Sequence, residues 1–525
     1  MNTISPTDFR SLFESSEEFA AIDTREAGVF GRAHLLVASN LPLSRLDLLI
    51  HAAVPRLATT IIICETDNAR QSEEVLINLG YKDVRVLAGG IAGWALEGGK
   101  LFSGTHVIGK AFGEFIEKSR RTPSIDARRL RQLLSSATPP LLLDTRTTEE
   151  HQSFCIPSAI SCPNGELIYR ALSLAADKKQ AVVTHCAGRT RSIIGAQTLI
   201  DAGMPNPIFS LKNGTPAWVF EEYELEHGAN RLAPLPNSKS IRHAQAVVDS
   251  LARRHRIYST DIATVSTWLN DTLRTTYLLD IRSSEEHVQS YFPNARQVPG
   301  GQLVQNVDKY LITRNARVVL LDNDGIRGKA TAAWLSQLGW RDVGVVTIDV
   351  DNLSSGCRPK TYEQSDLTCS NAIENIHKKK VRLVDCRAST DYRAAHPKDA
   401  VFLTRANLIN DSAYLDVDTP VIIFGSDNAY VHKMVADLRI LNFNVQSLVA
   451  TLEDWQRAGG LLESGTEMLY STPDDVFLPD ELAGGYREAK DFHKNILNRE
   501  ARAYLDWEIG LAHQLDNDPG APYVN

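Results

Sequence analysis

The sequence predicts an α/β fold in which four tandem units, each a parallel sheet with helices on both faces, precede a helical C-terminal tail. The first observation is an apolar strand that ends in Asp-x-Arg and occurs four times, with its aspartate at Asp23, Asp144, Asp280 and Asp385. A second apolar strand ends 40 to 42 residues after each aspartate, at Cys64, Cys186, Asp322 and Gly425. An amphipathic helix follows each second strand and ends 16 or 17 residues later, at Gly80, Gly203, Gly339 and Asn442. Strands that alternate with helices at this spacing indicate parallel sheets covered by helices.

Each unit is about 100 residues long, which is enough chain to bury a core of its own. We place the four units at residues 1–102, 122–230, 257–355 and 366–465, with the tail at 466–525. The joint between the first two units is rich in apolar residues over Val107–Glu117 and is therefore expected to pack on a neighbour. In the tail, apolar residues at helical spacing predict a helix over residues 480–514 that covers the last unit.

Composition and charge narrow the class of protein. The chain has 525 residues, a formal net charge of −8 and 43% hydrophobic residues, which are ordinary values for a globular protein. The negative charge argues against nucleic acid or an anionic membrane as the main partner. We find neither a secretory signal at the N-terminus nor an apolar stretch of the roughly 20 residues that span a membrane. Seven cysteines at irregular spacing predict neither a disulfide framework nor a zinc site, and indicate the reducing cytoplasm.

The segment Cys186–Arg191, which we call the active loop, stands between an apolar strand and an amphipathic helix. A turn from strand to helix directs the first backbone N–H groups of the helix into the loop. A cysteine in this position is expected to have a lowered pKa, because the helix N-terminus and the cationic Arg189 and Arg191 favour the thiolate. Gly188 lets the loop turn without a Cβ in the way. The sequence therefore predicts one nucleophilic sulfur, that of Cys186, in a loop that attracts anions.

An Asp-x-Arg strand, a cysteine loop after the next major strand and a later Gly-x-x-x-Trp together resemble the rhodanese family of sulfurtransferases. The first unit carries the flanking pattern of that family, with His34, Ala38 and Pro42 followed by Leu87–Trp94. The second unit carries the best active loop, although its segment Phe154–Ala159 lacks the Gly-His that usually precedes the isoleucine. The third and fourth units resemble the family in register only.

This resemblance implies that Cys186 carries sulfane sulfur as a persulfide, in a two-step reaction that uses no metal and no cofactor. A small anionic donor, thiosulfate or 3-mercaptopyruvate, supplies the sulfur, and a thiol, dithiol or other nucleophile, free or on a protein, accepts it. The residues expected to bind substrate and persulfide are those of the active loop: Ala187, Gly188, Arg189, Thr190 and Arg191. Arg170 is a further candidate, at the mouth of the pocket.

The other three loops are expected to be inactive. Cys64 occupies the matching position in the first unit, but Glu65 and Asp67 in its loop raise a thiol pKa and repel an anionic donor. The third and fourth loops have Asp322 and Gly425 in place of the cysteine. The second unit is thus predicted to be the catalytic one.

Several other polar or reactive residues of the second unit are predicted to have structural roles. Asp144 and Arg146 have equivalents in every unit, including those without the cysteine, so we expect them to stabilise the fold. His185 precedes the active loop, but side chains alternate along a strand and its neighbour faces the loop. Cys155 and Cys162 share the unit with Cys186, and nothing in the sequence places either within disulfide reach.

Two other functional classes remain open. A cysteine phosphatase or arsenate reductase uses a similar thiolate cradle, with five residues between cysteine and arginine, whereas four residues separate Cys186 from Arg191. The shorter loop favours a single sulfur atom over a phosphate group. The non-enzymatic alternative is a scaffold whose degenerate units bind partner proteins.

Overall fold

This computed structural model describes residues 1–175, 177–349, 354–355, 364–378, 381–473, 491–515 and 523. In the described part of the chain, four main sheets follow one another. Two small sheets pair Ser290–Tyr291 with Ser354–Ser355 and His396–Pro397 with Leu462–Glu463. The strands of the first sheet lie in the order Asn2–Ile4, Val84–Leu87, Thr60–Ile63 and Phe19–Asp23, with Ser39–Asn40 and Thr313–Arg314 beside the last of these. Those of the second lie in the order Ser124–Ile125, Ile208–Leu211, Val182–His185, Leu141–Asp144 and Ile160–Ser161. Those of the third lie in the order Tyr258–Thr260, Val343–Thr347, Arg317–Asp322, Thr276–Asp280 and Arg296–Gln297. Those of the fourth lie in the order Val445–Val449, Val421–Gly425, Arg382–Asp385 and Val401–Phe402.

Helices connect the strands in each unit. In the first unit they are Pro6–Glu14, Ala27–Phe30, Leu46–Ala53, Ala69–Asn78 and Gly90–Leu96. In the second they are Ala127–Leu134, Thr148–Ser153, Leu167–Arg170, Thr190–Asp201 and Gly214–Phe220. Ser238–Arg254 leads to the third unit, whose helices are Ile262–Leu269, Ser284–Gln289, Gly300–Gln305, Val307–Tyr310 and Ile326–Gln337. The helices of the fourth are Cys369–Lys378, Ser389–Ala394, Leu408–Asp411, Asn428–Ile440 and Leu452–Arg457.

Both faces of the sheets are buried. Side chains alternate between the two faces along a strand, and neighbouring residues therefore pack in different clusters. In the second sheet, Leu141 and Leu143 pack in one hydrophobic cluster with Leu199 of the helix Thr190–Asp201. Leu142, between them, packs in a separate cluster with Trp218 on the other face. The predicted α/β class with parallel sheets is confirmed.

The four units contact one another directly, which the sequence did not predict. The strand Thr313–Arg314 from the third unit pairs antiparallel with Phe19–Asp23 of the first sheet, the one antiparallel pair among the described strands of the four main sheets. In the same region, Tyr277 Oη donates a hydrogen bond of 2.5 Å to the carbonyl of Ala53. The fourth unit contacts the first through Arg405, whose guanidinium lies 3.0 Å from the carboxylate of Asp47.

Each Asp-x-Arg motif forms the same buried ion pair at the end of its strand. The N···O distances are 2.6, 2.8, 2.6 and 2.6 Å in the four units, for Asp23–Arg25, Asp144–Arg146, Asp280–Arg282 and Asp385–Arg387. Each arginine also donates to a backbone carbonyl eight residues further on. A buried pair that recurs regardless of the neighbouring loop is part of the fold, in agreement with the structural role expected for these residues.

Two helices outside the four units meet at the second unit. The linker helix, Val107–Arg120, is largely buried and packs with Ile193, Leu303 and Leu511 in one hydrophobic cluster. A Cβ on Gly113 would lie 2.9 Å from the Cα of Thr190, so the linker helix lies directly against the active loop. The expectation that this joint is docked is therefore met.

The C-terminal helix spans Asp491–Gln514, while residues 480–490 of the predicted helix lie outside the described residues. Its expected position over the last unit is wrong, because it packs on the linker helix and on Gly214–Phe220 of the second unit. Apolar residues of this helix such as Leu505 and Leu511 are buried in the contact. The periodicity of the sequence predicts that the helix has an apolar face, but it does not identify the surface on which that face packs. No helix in the described ranges combines the length and apolar character needed to cross a membrane.

Candidate active site

The active loop connects the strand Val182–His185 to the helix that begins at Thr190. The backbone N–H of Gly188 donates to Cys186 Sγ at 3.4 Å, so at least one loop amide is directed at the sulfur. The carbonyls of Cys186 and Gly188 lie so close to Gly214 that a Cβ there would stand 2.3 and 2.5 Å from them. Gly214 has a φ of +55°, and only a residue without a side chain fits beneath the loop.

Cys186 is 2% exposed and lines a partly open cavity of about 190 Å³. The other five residues of the active loop, Ala187, Gly188, Arg189, Thr190 and Arg191, line the same cavity. The other walls come from the linker region (Thr105, His106, Lys110), the third unit (Gln302, Gln305, Asn306) and the C-terminal helix (Tyr504, Glu508). The cavity beside the thiol is therefore formed by the second unit together with the linker region, the third unit and the C-terminal helix.

Arg189 lies on the cavity wall and pairs with carboxylates of the linker helix. Its Nε and Nη2 donate to the two carboxylate oxygens of Glu114 at 2.7 and 2.9 Å, and Nη2 also contacts Glu117. Nη1 donates to the side chain of Asn213 at 2.8 Å. Burial raises the pKa of Glu114 to about 7, although the hydrogen bond from Arg189 opposes the shift. Arg189 therefore holds the linker helix on the active loop, and its contact with substrate stays a prediction.

Arg191 lies on the cavity wall and forms a bidentate pair with Glu150, at N···O distances of 2.6 and 2.8 Å. Arg170 is not brought to this cavity. It donates to Glu166 at 2.7 Å and to the carbonyl of Ala233 at 2.9 Å, and lines a neighbouring cavity between the second and third units. Arg170 is absent from the lining of the Cys186 cavity, so its role at the mouth of that cavity stays a prediction.

The expected lowering of the Cys186 pKa is wrong. Burial raises the pKa of this thiol, while the charge of Arg191 and the N–H of Gly188 oppose the rise. The negative charge of Glu508 adds to it. The local sequence contains the two groups that favour the thiolate, but the enclosure and the opposing carboxylate come from the distant linker and tail.

Glu508 lies on the cavity wall, a position that the sequence did not indicate. This side chain is 1% exposed, and its Oε1 accepts hydrogen bonds from Thr190 Oγ1 at 2.8 Å and from the Thr190 backbone N–H at 3.4 Å. A carboxylate from the tail therefore occupies the N-terminus of the helix that follows the active loop, where an anion is favoured. Its only sequence signal was the amphipathic stripe of the tail, which does not identify a partner.

The remaining loops provide no comparable thiol among the described residues. Cys64 is fully buried in a hydrophobic cluster, and burial raises its pKa well above the usual value, with Asp23 and Glu65 adding to the rise. Glu65 is itself fixed by Thr24, which donates to it at 2.5 Å. In the third loop the Asp322 carboxylate accepts from the Gly328 N–H at 2.9 Å.

Cys155, Cys162 and His185 are all fully buried. Burial raises the pKa of Cys155 to about 12, and it raises that of Cys162 as well. Burial lowers the pKa of His185 to about 4, against the opposing charge of Asp144. None of the three lines the Cys186 cavity, and no group of His, Cys, Asp and Glu side chains in the described residues is arranged to hold a metal ion.

Comparison with known proteins agrees with the fold. The model of the rhodanese-like domain matches residues 5–97, 126–221 and 264–352. The crystal structure of a thiosulfate sulfurtransferase from Pseudomonas aeruginosa is similar over 100% of this chain and 99% of its own, with 34% sequence identity and a TM-score of 0.89. A rhodanese-like domain from Anabaena sp. is 24% identical over 22% of this chain and 92% of its own, with a TM-score of 0.19. A search among curated proteins finds no match. Three matched segments and the similarity along the whole chain confirm that this protein belongs to the rhodanese family.

Proposed function

We propose that this protein is a sulfurtransferase in which Cys186 accepts a sulfur atom from a small anionic donor and passes it to a nucleophilic acceptor. The observation that carries the proposal is the Cys186 thiol, which lines a partly open cavity and accepts a hydrogen bond from the Gly188 amide. Similarity to a thiosulfate sulfurtransferase over the whole chain supports it. Thiosulfate is the donor we favour, with 3-mercaptopyruvate as the alternative.

The reaction needs two displacements at sulfur. In the first, the Cys186 thiolate attacks the outer sulfur of thiosulfate, the S–S bond of the donor breaks, and sulfite leaves with the electron pair. The product is a persulfide, Cys–S–S⁻, whose charge is stabilised by the Gly188 amide, which donates to the sulfur, and by the nearby Arg191. In the second, an acceptor thiolate attacks the outer sulfur and Cys186 leaves as a thiolate. Both steps use only thiolates, so we propose neither a metal nor a cofactor.

We assign the four units different roles. Residues 122–230 form the catalytic rhodanese-like domain, and residues 1–102 and 257–355 form inactive ones. Residues 366–465 form a fourth domain of the same kind, since its four described strands repeat the order of the corresponding strands in the other sheets. The tail, 466–525, contributes the C-terminal helix to the cavity wall. The six described cysteines are free thiols, which supports the reducing cytoplasm as the place of action.

The proposal is tested by steady-state sulfur transfer from thiosulfate to a thiol, measured as sulfite release. Cys186→Ser is expected to lose turnover completely. Cys64→Ser is the matched control, because it removes the cysteine at the equivalent position of another unit, and we expect it to retain most of the activity. Loss of turnover in Cys64→Ser with activity in Cys186→Ser would contradict the assignment. Hydrolysis of p-nitrophenyl phosphate that depends on Cys186, without sulfur transfer, would favour the phosphatase alternative.

A further inference from the structure

A larger cavity adjoins the Cys186 cavity on the side of the first unit. This outer cavity has a volume of about 480 Å³, is more open than the Cys186 cavity and lies between the helix Ala27–Phe30 of the first unit and the C-terminal helix. The two cavities have three lining residues in common, Thr105, Lys110 and Tyr504. Two other cavities, of about 250 and 190 Å³, each share two lining residues with the Cys186 cavity. Of these three neighbours, the outer cavity is the largest and has the most wall in common with it.

Lys110 of the linker helix extends from one cavity to the other. Its carbonyl oxygen lies 3.5 Å from Thr190 Oγ1, beside the active loop. Its Nζ lies 5.3 Å from the ring centroid of Tyr504, which lines both cavities. The same Nζ lies 5.0 Å from the ring centroid of Trp507, which lines the outer cavity only. Two aromatic rings therefore hold the ammonium group at the boundary between the cavities.

The charged residues of the outer wall favour an anion at this boundary. In the described part of the chain they are two cations and one carboxylate, Arg32, Lys110 and Glu500. Arg32 and Glu500 are exposed, so water and salt screen their charges. Lys110 is 6% exposed, and its charge therefore acts on a nearby ligand with less screening.

The charges on the wall of the Cys186 cavity are different, because most of them are compensated by a carboxylate. Three side chains of this wall are paired in this way: Arg191 with Glu150, Arg189 with Glu114 and Glu117, and His106 with Asp308. Glu508 lies on the same wall, and its negative charge opposes a further anion near the thiol. A cation at the boundary offsets this repulsion for an anion that arrives from the outer cavity.

We infer that the outer cavity is the entrance by which anionic donors reach Cys186, and that Lys110, at its inner boundary, selects them by charge. This inference rests on the proposed sulfurtransferase function and names a specificity-determining residue for its first substrate. It also gives the first unit a role, since the helix Ala27–Phe30 and Arg32 form one wall of the entrance. Lys110 attracts and orients the donor and takes no part in either displacement at sulfur.

The first arm of the test measures selection by charge without any sulfur transfer. The full chain is treated with the anionic reagent 2-sulfonatoethyl methanethiosulfonate or with the uncharged ethyl reagent, and modification is followed on the peptide that contains Cys186. Each rate constant is divided by that of a free thiol, and the ratio of anionic to uncharged reagent is then independent of the thiolate fraction. We expect Lys110→Met to lower this ratio about tenfold, because one poorly screened charge is lost.

Three further variants complete this arm. Lys118→Met removes a lysine from the exposed end of the same helix and is expected to keep the wild-type ratio. Lys110→Arg retains the charge and is expected to keep the preference for the anion. Lys110→Gln is a second neutral variant, in case methionine disturbs the packing of the two rings. A fall of less than about threefold in both neutral variants, or an equal fall in Lys118→Met, overturns the role of Lys110.

A second arm tests the route. Ala503 is an exposed residue of the C-terminal helix that lines the outer cavity and not the Cys186 cavity. Ala503→Trp narrows the entrance and is expected to slow modification of Cys186 severalfold with both reagents, whatever their charge. Ile509→Trp adds the same ring to this helix outside both cavities and is the matched control. Equal rates in the two variants overturn the proposed entrance.

Sulfite release from thiosulfate separates this inference from the proposed function. Lys110→Met is expected to lower kcat/KM for thiosulfate about tenfold, mainly through a higher KM, because the charge acts on the arrival and binding of the donor. A variant that retains the wild-type kcat/KM overturns the role of Lys110 and leaves the sulfurtransferase standing. Selection of the anionic reagent in a protein that never releases sulfite supports the entrance and overturns the proposed function.

Discussion

Replacing Glu508 by glutamine is expected to lower the pKa of Cys186 while leaving the shape of the cavity unchanged. Glu508 Oε2 lies 3.1 Å from the Cβ position of Gly188, and the Gly188 nitrogen lies 3.4 Å from the sulfur. With ordinary backbone dimensions, the carboxylate is therefore within about 9 Å of Cys186 Sγ. Two unit charges at that distance repel by about 2 kcal/mol at an effective dielectric constant near 20. Removing the charge should lower the Cys186 pKa by about 1 to 1.5 units.

The pKa is measured from the pH dependence of alkylation of Cys186 by iodoacetamide, followed by mass spectrometry on its peptide. A lower pKa shifts the midpoint of this profile to lower pH and raises the thiolate fraction at neutral pH by about tenfold or more. Asp506→Asn is the control, because it removes a charge from the exposed side of the same helix. An unchanged midpoint in Glu508→Gln, or an equal shift in both variants, would refute the electrostatic role assigned to Glu508.

Three further predictions concern stability. Glu114→Ala removes two of the hydrogen bonds that Arg189 donates and should cost about 1 to 3 kcal/mol, seen as faster hydrogen exchange in the linker helix and active loop. Arg327→Met leaves Glu286 without its partner at 2.6 Å and should lower the thermal midpoint of the third unit, whereas retention of the wild-type midpoint would contradict a stabilising role. Burial lowers the pKa of His185 in the folded protein to about 4, whereas the unfolded value is near 6.5. The folded state therefore favours the neutral imidazole. Its contribution to the free energy of unfolding is complete above about pH 6.5 and is lost as the pH falls towards 4. Between pH 7 and 5 the wild type should therefore lose on the order of 2 kcal/mol more stability than His185→Gln, as measured by denaturant unfolding at both pH values.

Much of the fold could be predicted from the sequence because the repeat signals are local. Four Asp-x-Arg strand ends and the regular distance to the next strand indicate parallel α/β units, and the buried pair Asp144–Arg146 shows why the motif recurs. The contacts between units could not be predicted in the same way. The strand Thr313–Arg314 is two residues long and carries no alternation, so nothing in its sequence indicates that it joins the first sheet. The C-terminal helix has an apolar stripe, but many buried surfaces would satisfy it.

In the candidate site, too, the local features could be predicted from the sequence and the distant contacts could not. Cys186 and its loop follow from a strand, a turn and a helix that are adjacent in the chain. The partners of the loop are far away in sequence, with Glu114 on the linker helix and Glu508 on the C-terminal helix. Those two carboxylates change the expected chemistry, since one occupies Arg189 and the other opposes ionisation of the thiol. The role of a charged residue such as Arg189 therefore depends on partners that the local motif does not contain.

The most direct test of the central claim is to treat the full chain with thiosulfate, remove the donor and locate the added sulfur by peptide mass spectrometry without reducing agent. If Cys186 carries the sulfur, we expect the mass of the peptide that contains it to increase by about 32 Da, one sulfur atom, and no other cysteine peptide to change. A subsequent thiol should remove this mass and carry the sulfur away. An unmodified Cys186 peptide, or the added mass on the Cys64 peptide instead, would contradict the account.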